Sequence, residues 1–308
     1  MAGHLLNYYY PFQYPNDPHF KSILREFLDW GVNSFVFTVG LAYECAINPE
    51  SLVTLRGIAK EFGVTFHSMH APYGREQDLD IPPHLEDRKA MFDLHRRAMG
   101  IAAEFGCKTY TMHVGASHYV HDRIPAAELV PWAKNALETL LPTAEKLGIV
   151  IAVENSFEGV NSPDVVLDII KDYVSSPSIG LCYDTGHANI LAPFPGKQQS
   201  LYESYMPGSW WETGIVEEAA SLDKMAPYVV TCHIHDNNGY GDLHGMPFDG
   251  CVKWDVIMPK LFECPRMLEF QSEVCFDYGT NWAGKLLAPV GGYSIKRYVE
   301  TFRKLGFN

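Results

Sequence analysis

Three histidines and two aspartates fall within HIHDNNGYGDLHG (233–245), and the apolar run APYVVTC (226–232) leads straight into them. An imidazole or carboxylate at the end of a buried strand is costly unless something pairs with it. A divalent metal suits this mixture of groups. Similar residues close other apolar runs: His70 in SMHAPYG, His113 in TMHVGASH, Glu154 in IAVENSFEG, Asp184 in CYDTGHANI and Glu269 in MLEFQSEV. His187 follows Asp184 by one turn, and Asp242 and His244 follow His233 in the next loop. Each has a plainer reading when taken alone. His70 or His113 suits a packed core, Glu154 an ion pair, Asp184 a helix N-cap and Asp242 a turn. Unpaired Asp and Glu are rarely buried, so six successive strand ends carrying such groups argue for convergence on one site. His235 is expected to point outward toward the helices and, with Asp236, to support the strand end. Glu273 is the alternative to Glu269, which is preferred as nearer the strand end. The other histidines, at 4, 19, 67, 84, 95, 118 and 121, are read as surface or packing residues.

These side chains converge only if the elements carrying them close on one another. The candidate strands are 4–10, 34–40, 64–70, 108–114, 150–155, 179–184, 228–235 and 266–271, each followed by a helical pattern. NPES and NSPD place a polar cap before proline at a first turn. EFG-V, EFG-C and KLG-I end a helix on glycine just before the next strand. Eight alternating units predict a parallel sheet closed as a (β/α)₈ TIM barrel, one domain over 1–308. An open doubly wound sheet would want a glycine-rich phosphate loop after the first strand, where YPFQYPNDP stands instead.

Composition narrows the function classes. The net charge is −13, and no basic run exceeds two residues, which argues against a broad grip on nucleic acid. No apolar run is long enough to span a bilayer, and the N-terminus lacks a secretory pattern. The seven scattered cysteines fit reduced thiols in a cytoplasm. The long segment 191–214 carries Phe194, Tyr202, Tyr205, Trp210 and Trp211. These rings, and Trp282, suit either the floor or lid of a sugar pocket or packing and a homo-oligomer contact.

Taken together, VEN, DTGHA and H-x-H-D-N…D-x-H resemble the xylose isomerase-like barrel superfamily. More narrowly, the chain resembles the sugar phosphate isomerase/epimerase group, which shares its fold with endonuclease IV. The resemblance implies a core metal site of Glu154, Asp184, His233 and Glu269. The further ligands of endonuclease IV match His70, His113, His187, Asp242 and His244. It also implies Zn or Mn, one to three ions. The leading expectation is a metal-dependent isomerase or epimerase of a small sugar, sugar phosphate or related polyol. Glu154 and Glu269 would form its acid/base pair, with His187 on a substrate oxygen or a second metal. The alternatives are a multinuclear zinc phosphodiesterase acting on abasic DNA and a lyase or dehydratase using the same enolate chemistry. The DNA reading is weakened by TVGLAYECAINPE, which has no basic residue, and by APYGREQDLD, which ends acidic.

Overall fold

The computed structural model describes residues 4–214, 216–275 and 294–307; Trp282 lies outside them. Eight strands form one parallel sheet: β1 Leu6–Asn7, β2 Ser34–Phe37, β3 Thr65–His70, β4 Thr109–Met112, β5 Val150–Glu154, β6 Ile179–Asp184, β7 Val229–Ile234 and β8 Phe270–Ser272. Their order runs β1-β8-β7-β6-β5-β4-β3-β2. A parallel bridge between Tyr8 and Phe35 joins β1 to β2 and closes the ring. The structure is therefore the expected barrel, with helices in the crossovers.

The local signals work as physical chemistry requires. Asn48 caps the helix Pro49–Phe62, accepting from the Glu50 amide, with Pro49 in the first turn. Ser162 precedes Pro163 at the head of Pro163–Ile170, though its side chain makes no capping bond. Helices Pro49–Phe62, Asp87–Phe105 and Ala126–Leu147 each stop at a glycine in the left-handed conformation. The strand following each is buried over most of its length, sealed under the helices by Phe66, Tyr110, Ile151 and their neighbours.

One boundary differs from expectation in a way that matters. β8 begins at Phe270, so Glu269 stands just before the strand and not at its C-terminal end. Glu269, Gln271 and Glu273 are spaced by two and share a face. Glu269 is thus at the lower level of the barrel interior and Glu273 at the upper. The seven cysteines are all unbridged. No helix among the described residues is long and apolar enough to cross a membrane.

Candidate metal centre and active site

The C-terminal ends of β3 to β8 deliver their polar side chains to one cavity of about 370 Å³. Its floor is built around Glu154, which is 2% exposed. His113 Nε2 lies 3.1 Å from Glu154 Oε2, and His70 Nε2 lies 3.7 Å from the same oxygen. His233 Nδ1 faces three carboxylates: Glu154 Oε1 at 3.2 Å, Asp184 Oδ2 at 3.6 Å and Glu273 Oε2 at 3.0 Å. His187 Nε2 approaches Asp242 Oδ2 at 3.4 Å, and His244 Nε2 approaches it at 3.1 Å. Five overlapping donor groups result among the described residues, each with ligand atoms within 4.8 Å of one another, and three of them carry the argument: His70, His113 and Glu154; Glu154, Asp184, His233 and Glu273; His187, His235, Asp242 and His244. Eight of the nine ligand positions expected from the sequence are therefore brought together.

The ninth, Glu269, is not. Its carboxylate accepts from Asn7 Nδ2 at 2.8 Å, Thr109 Oγ1 at 2.7 Å and Gln271 Nε2 at 3.3 Å, inside the barrel. It belongs to none of the five groups, and Glu273 takes the place expected of it. The cause is the start of β8, one residue past Glu269, which puts this glutamate two pleat repeats below Glu273 at the mouth.

His235 is a second correction. Residues two apart on a strand share a face, so His235 follows His233 inward. Its Nε2 lies 3.0 Å from both oxygens of Asp184, and its ring stacks on His244 at 4.0 Å. The glycine of DTGHA makes room for it: a Cβ on Gly186 would overlap the His235 ring.

Other partners hold the ligand groups in place. Asp184 does cap the next helix, Thr185–Leu191, accepting from the His187 amide at 2.6 Å, while its carboxylate also faces His235 and His233. Asn155, the last residue of VEN, accepts from the Asp184 amide at 2.9 Å and donates to its carbonyl at 3.3 Å, stitching β5 to β6. His70, His187 and His244 each place Nδ1 2.9 Å from a main-chain carbonyl: Ala71, Asn155 and Glu273 respectively. A metal-ligating imidazole is typically held in this way, with Nδ1–H donated and Nε2 presented. His244 sits at φ 46°, a left-handed conformation that costs energy for a non-glycine residue.

Electrostatics agree with the geometry. Burial alone would raise Glu154, but the His233 and His113 imidazoles outweigh it and hold the carboxyl well below its usual range. Buried Asp184 and the half-buried Asp242 and Glu273 are likewise held low by neighbouring histidines. Burial opposes charge on His187, His233 and His244, and the adjacent carboxylates still raise all three. His70 goes the other way, to about 4, through burial and the nearby His113. The second donor group sets three carboxylates against one imidazole, an excess of negative charge that a divalent cation resolves. His233 Nε2, His235 Nδ1 and Asp242 Oδ1 are also buried without a hydrogen-bond partner. Oxygen and imidazole donors together fit a divalent cation.

The cavity walls come from loops. Tyr73 stands over His70 and His113, and Phe157 packs edge-on against His187. The rings of 191–214 do not line the cavity. Tyr202 and Trp210 are buried with Ile190, Leu191 and Phe157 in a small core of their own, and the segment contributes Met206 and Ser209 to the wall. Three clips tie the loops together: Arg75 to Asp122 at 2.6 Å, Arg123 to the Gly208 carbonyl at 2.9 Å, and Trp211 Nε1 to the Tyr119 carbonyl at 2.8 Å. His118 bridges Asp122 and the Arg75 carbonyl beneath them.

A parallel eight-stranded barrel whose strand ends gather histidines and carboxylates round one cavity defines a TIM-barrel protein with a candidate metal centre at its catalytic face. The chain belongs to the xylose isomerase-like TIM barrel family, whose pattern matches residues 24–277. It is 26% identical over 228 residues to the protein MJ1311 of Methanocaldococcus jannaschii, covering 70% of this chain and 67% of that one. The fold is similar to D-psicose 3-epimerase determined in the presence of D-fructose, with TM-score 0.66 and 16% identity, covering 98% of this chain and 96% of the other. It is also similar to 3-keto-D-glucoside 4-epimerase, YcjR, from E. coli, with TM-score 0.64 and 14% identity, covering 98% and 99%.

Proposed function

We propose that the chain is an isomerase or epimerase of a small sugar-like compound, working with a divalent ion held by Glu154, Asp184, His233 and Glu273. One observation carries this reading. Glu154 on β5 and Glu273 just past β8 flank Asp184 and His233, which lie between them in strand order, at the floor of a cavity of about 370 Å³. When bound, the ion polarises a carbonyl and stabilises negative charge developing beside it. Glu154 and Glu273 are the acid/base pair. One removes the proton from the carbon next to the carbonyl, the C–H electrons pass into an enediolate, and the other returns a proton from its own side. His187 reaches the cavity and contacts a substrate oxygen. The size of the cavity and the epimerase names of two structural neighbours support a monosaccharide-sized substrate. The test is proton exchange in D₂O on a ketose panel with Zn- or Mn-loaded protein. Metal-dependent exchange at carbon is expected, and its absence with every sugar would refute the reading.

A second reading has its own observation. Glu154 belongs to three of the five donor groups, and the group of His187, His235, Asp242 and His244 lies beside them, an arrangement suited to several ions and hence to phosphoester hydrolysis. Metal content per chain, together with nicking of an abasic-site duplex at low salt, separates the two. One ion without nicking favours the isomerase; two or three with nicking favours the hydrolase.

A further inference from the structure

The cavity has a second polar wall that none of the five donor groups uses. Asp78 and Glu158 line it and are 5% and 7% exposed. Asp78 is set there by the loop after β3, whose Leu79 and Asp80 amides pair with the His113 and Val114 carbonyls beyond β4. Each carboxylate has one oxygen held from behind. The Gly74 amide donates to Asp78 Oδ1 at 3.1 Å, and Asn161 Nδ2 donates to Glu158 Oε2 at 3.1 Å. No lysine or arginine lines the cavity among the described residues. Arg75 and Arg123, in the adjoining loops, are engaged with Asp122 and the Gly208 carbonyl.

A carboxylate only accepts hydrogen bonds, and a second anion beside it is repelled. Two such groups, nearly buried and without a paired cation, ask their ligand for donors. Serines 117 and 209 and the Tyr73 ring complete this side of the cavity without charge, and His121, the lining imidazole outside the donor groups, is exposed to solvent. The geometry points to a substrate that is not phosphorylated: its end remote from the metal centre presents hydroxyl or ammonium donors to Asp78 and Glu158. This inference rests on the isomerase reading and assigns these two residues as specificity determinants of that site.

Calorimetric binding to the metal-loaded protein tests it, with D-fructose, D-fructose 6-phosphate and 6-amino-6-deoxy-D-fructose as probes and the corresponding D-psicose series beside them. The phosphate ester is expected to bind at least about tenfold more weakly than the free sugar. Asp78→Asn and Glu158→Gln are expected to shrink that gap, chiefly by weakening the free sugar and the amine. An amine tighter than the free sugar assigns an ammonium donor, and the reverse order assigns hydroxyls. Phosphate esters that bind as tightly as the free sugars, a gap unchanged in both variants, or no binding by either series would overturn the inference. Glu158→Gln keeps the Asn161 bond through its amide oxygen, so it guards against a folding failure in Asp78→Asn. Binding in the expected order without proton exchange in D₂O would sink the isomerase reading and leave the wall standing.

Discussion

Glu269 and Glu273 are four residues apart and share one face of the barrel, the first buried and the second 13% exposed, and they live in opposite surroundings. Glu273 stands among imidazoles at the mouth. Burial there is outweighed by His233, and its carboxyl is held low. Glu269 stands below, among neutral donors from β1, β4, β7 and β8. Burial dominates, and its carboxyl is raised despite bonds from Thr231, Thr109, Asn7 and Gln271. Neutral donors orient a carboxylate, whereas charged neighbours and a metal give it chemistry. Two pleat repeats separate a structural glutamate from a candidate catalytic one.

The comparison breaks most visibly in activity. Glu273→Gln is expected to cut turnover by about 10²–10⁴-fold while the fold persists, which steady-state kinetics and circular dichroism would show. Glu269→Gln is expected to do the reverse. Its new NH₂ would face either the Asn7 donor or the Thr109 and Gln271 donors, which sit on different oxygens, and cost about 1–3 kcal/mol in denaturant unfolding, with metal content unchanged. If Glu269→Gln loses metal and Glu273→Gln does not, the two roles assigned here are exchanged.

The pH dependence sharpens the contrast, because only the mouth mixes imidazoles with carboxylates. In metal-free protein, the low-held Glu154, Asp184, Asp242 and Glu273 stabilise the fold above their unfolded values near 4 and lose that contribution as pH falls. The raised His113, His187, His233 and His244 contribute fully below about 6.5 and lose that contribution as pH rises through their folded values. His70, held near 4, opposes folding as pH drops below about 6.5. Stability without metal is therefore expected to peak between about pH 5 and 6.5, then to fall by on the order of 1 kcal/mol per pH unit. Zn or Mn, which takes neutral imidazole, is expected to abolish that decline. Melting curves with and without a chelator would show this; equal slopes in both would place the histidines away from the metal.

The smallest expected effect lies at Gly186. Ala at this position pushes against the His235 ring and should cost about 1 kcal/mol while loosening His235 from Asp184. An unchanged histidine spectrum by NMR would show that the ring has room elsewhere.

The barrel and most of its rim were legible in the sequence because strand ends, helix caps and glycine stops are local signals. His70, His113, Glu154, Asp184 and His233 each end or directly follow an apolar run, and the structure gathers them. Glu269 misled because Glu269, Gln271 and Glu273 have the same parity, so alternation cannot say which one reaches the mouth. His235 followed the parity rule; the outward placement expected for it ran against that rule. Asp78 showed only as part of the acidic end of APYGREQDLD, and Glu158 carried no signal. Each belongs to a loop placed by main-chain pairing or by Asn161, contacts that no local pattern announces.

The clips between the loops have a kinetic consequence. The wall segments after β3, β4 and β6 share Arg75–Asp122, Arg123–Gly208 and Trp211–Tyr119. Segments joined in series open cooperatively, as one unit of local unfolding. Their amides should exchange with solvent deuterium at a common free energy, lower than that of the barrel strands. Cutting a single clip, as in Arg123→Ala, should speed exchange in all three loops together.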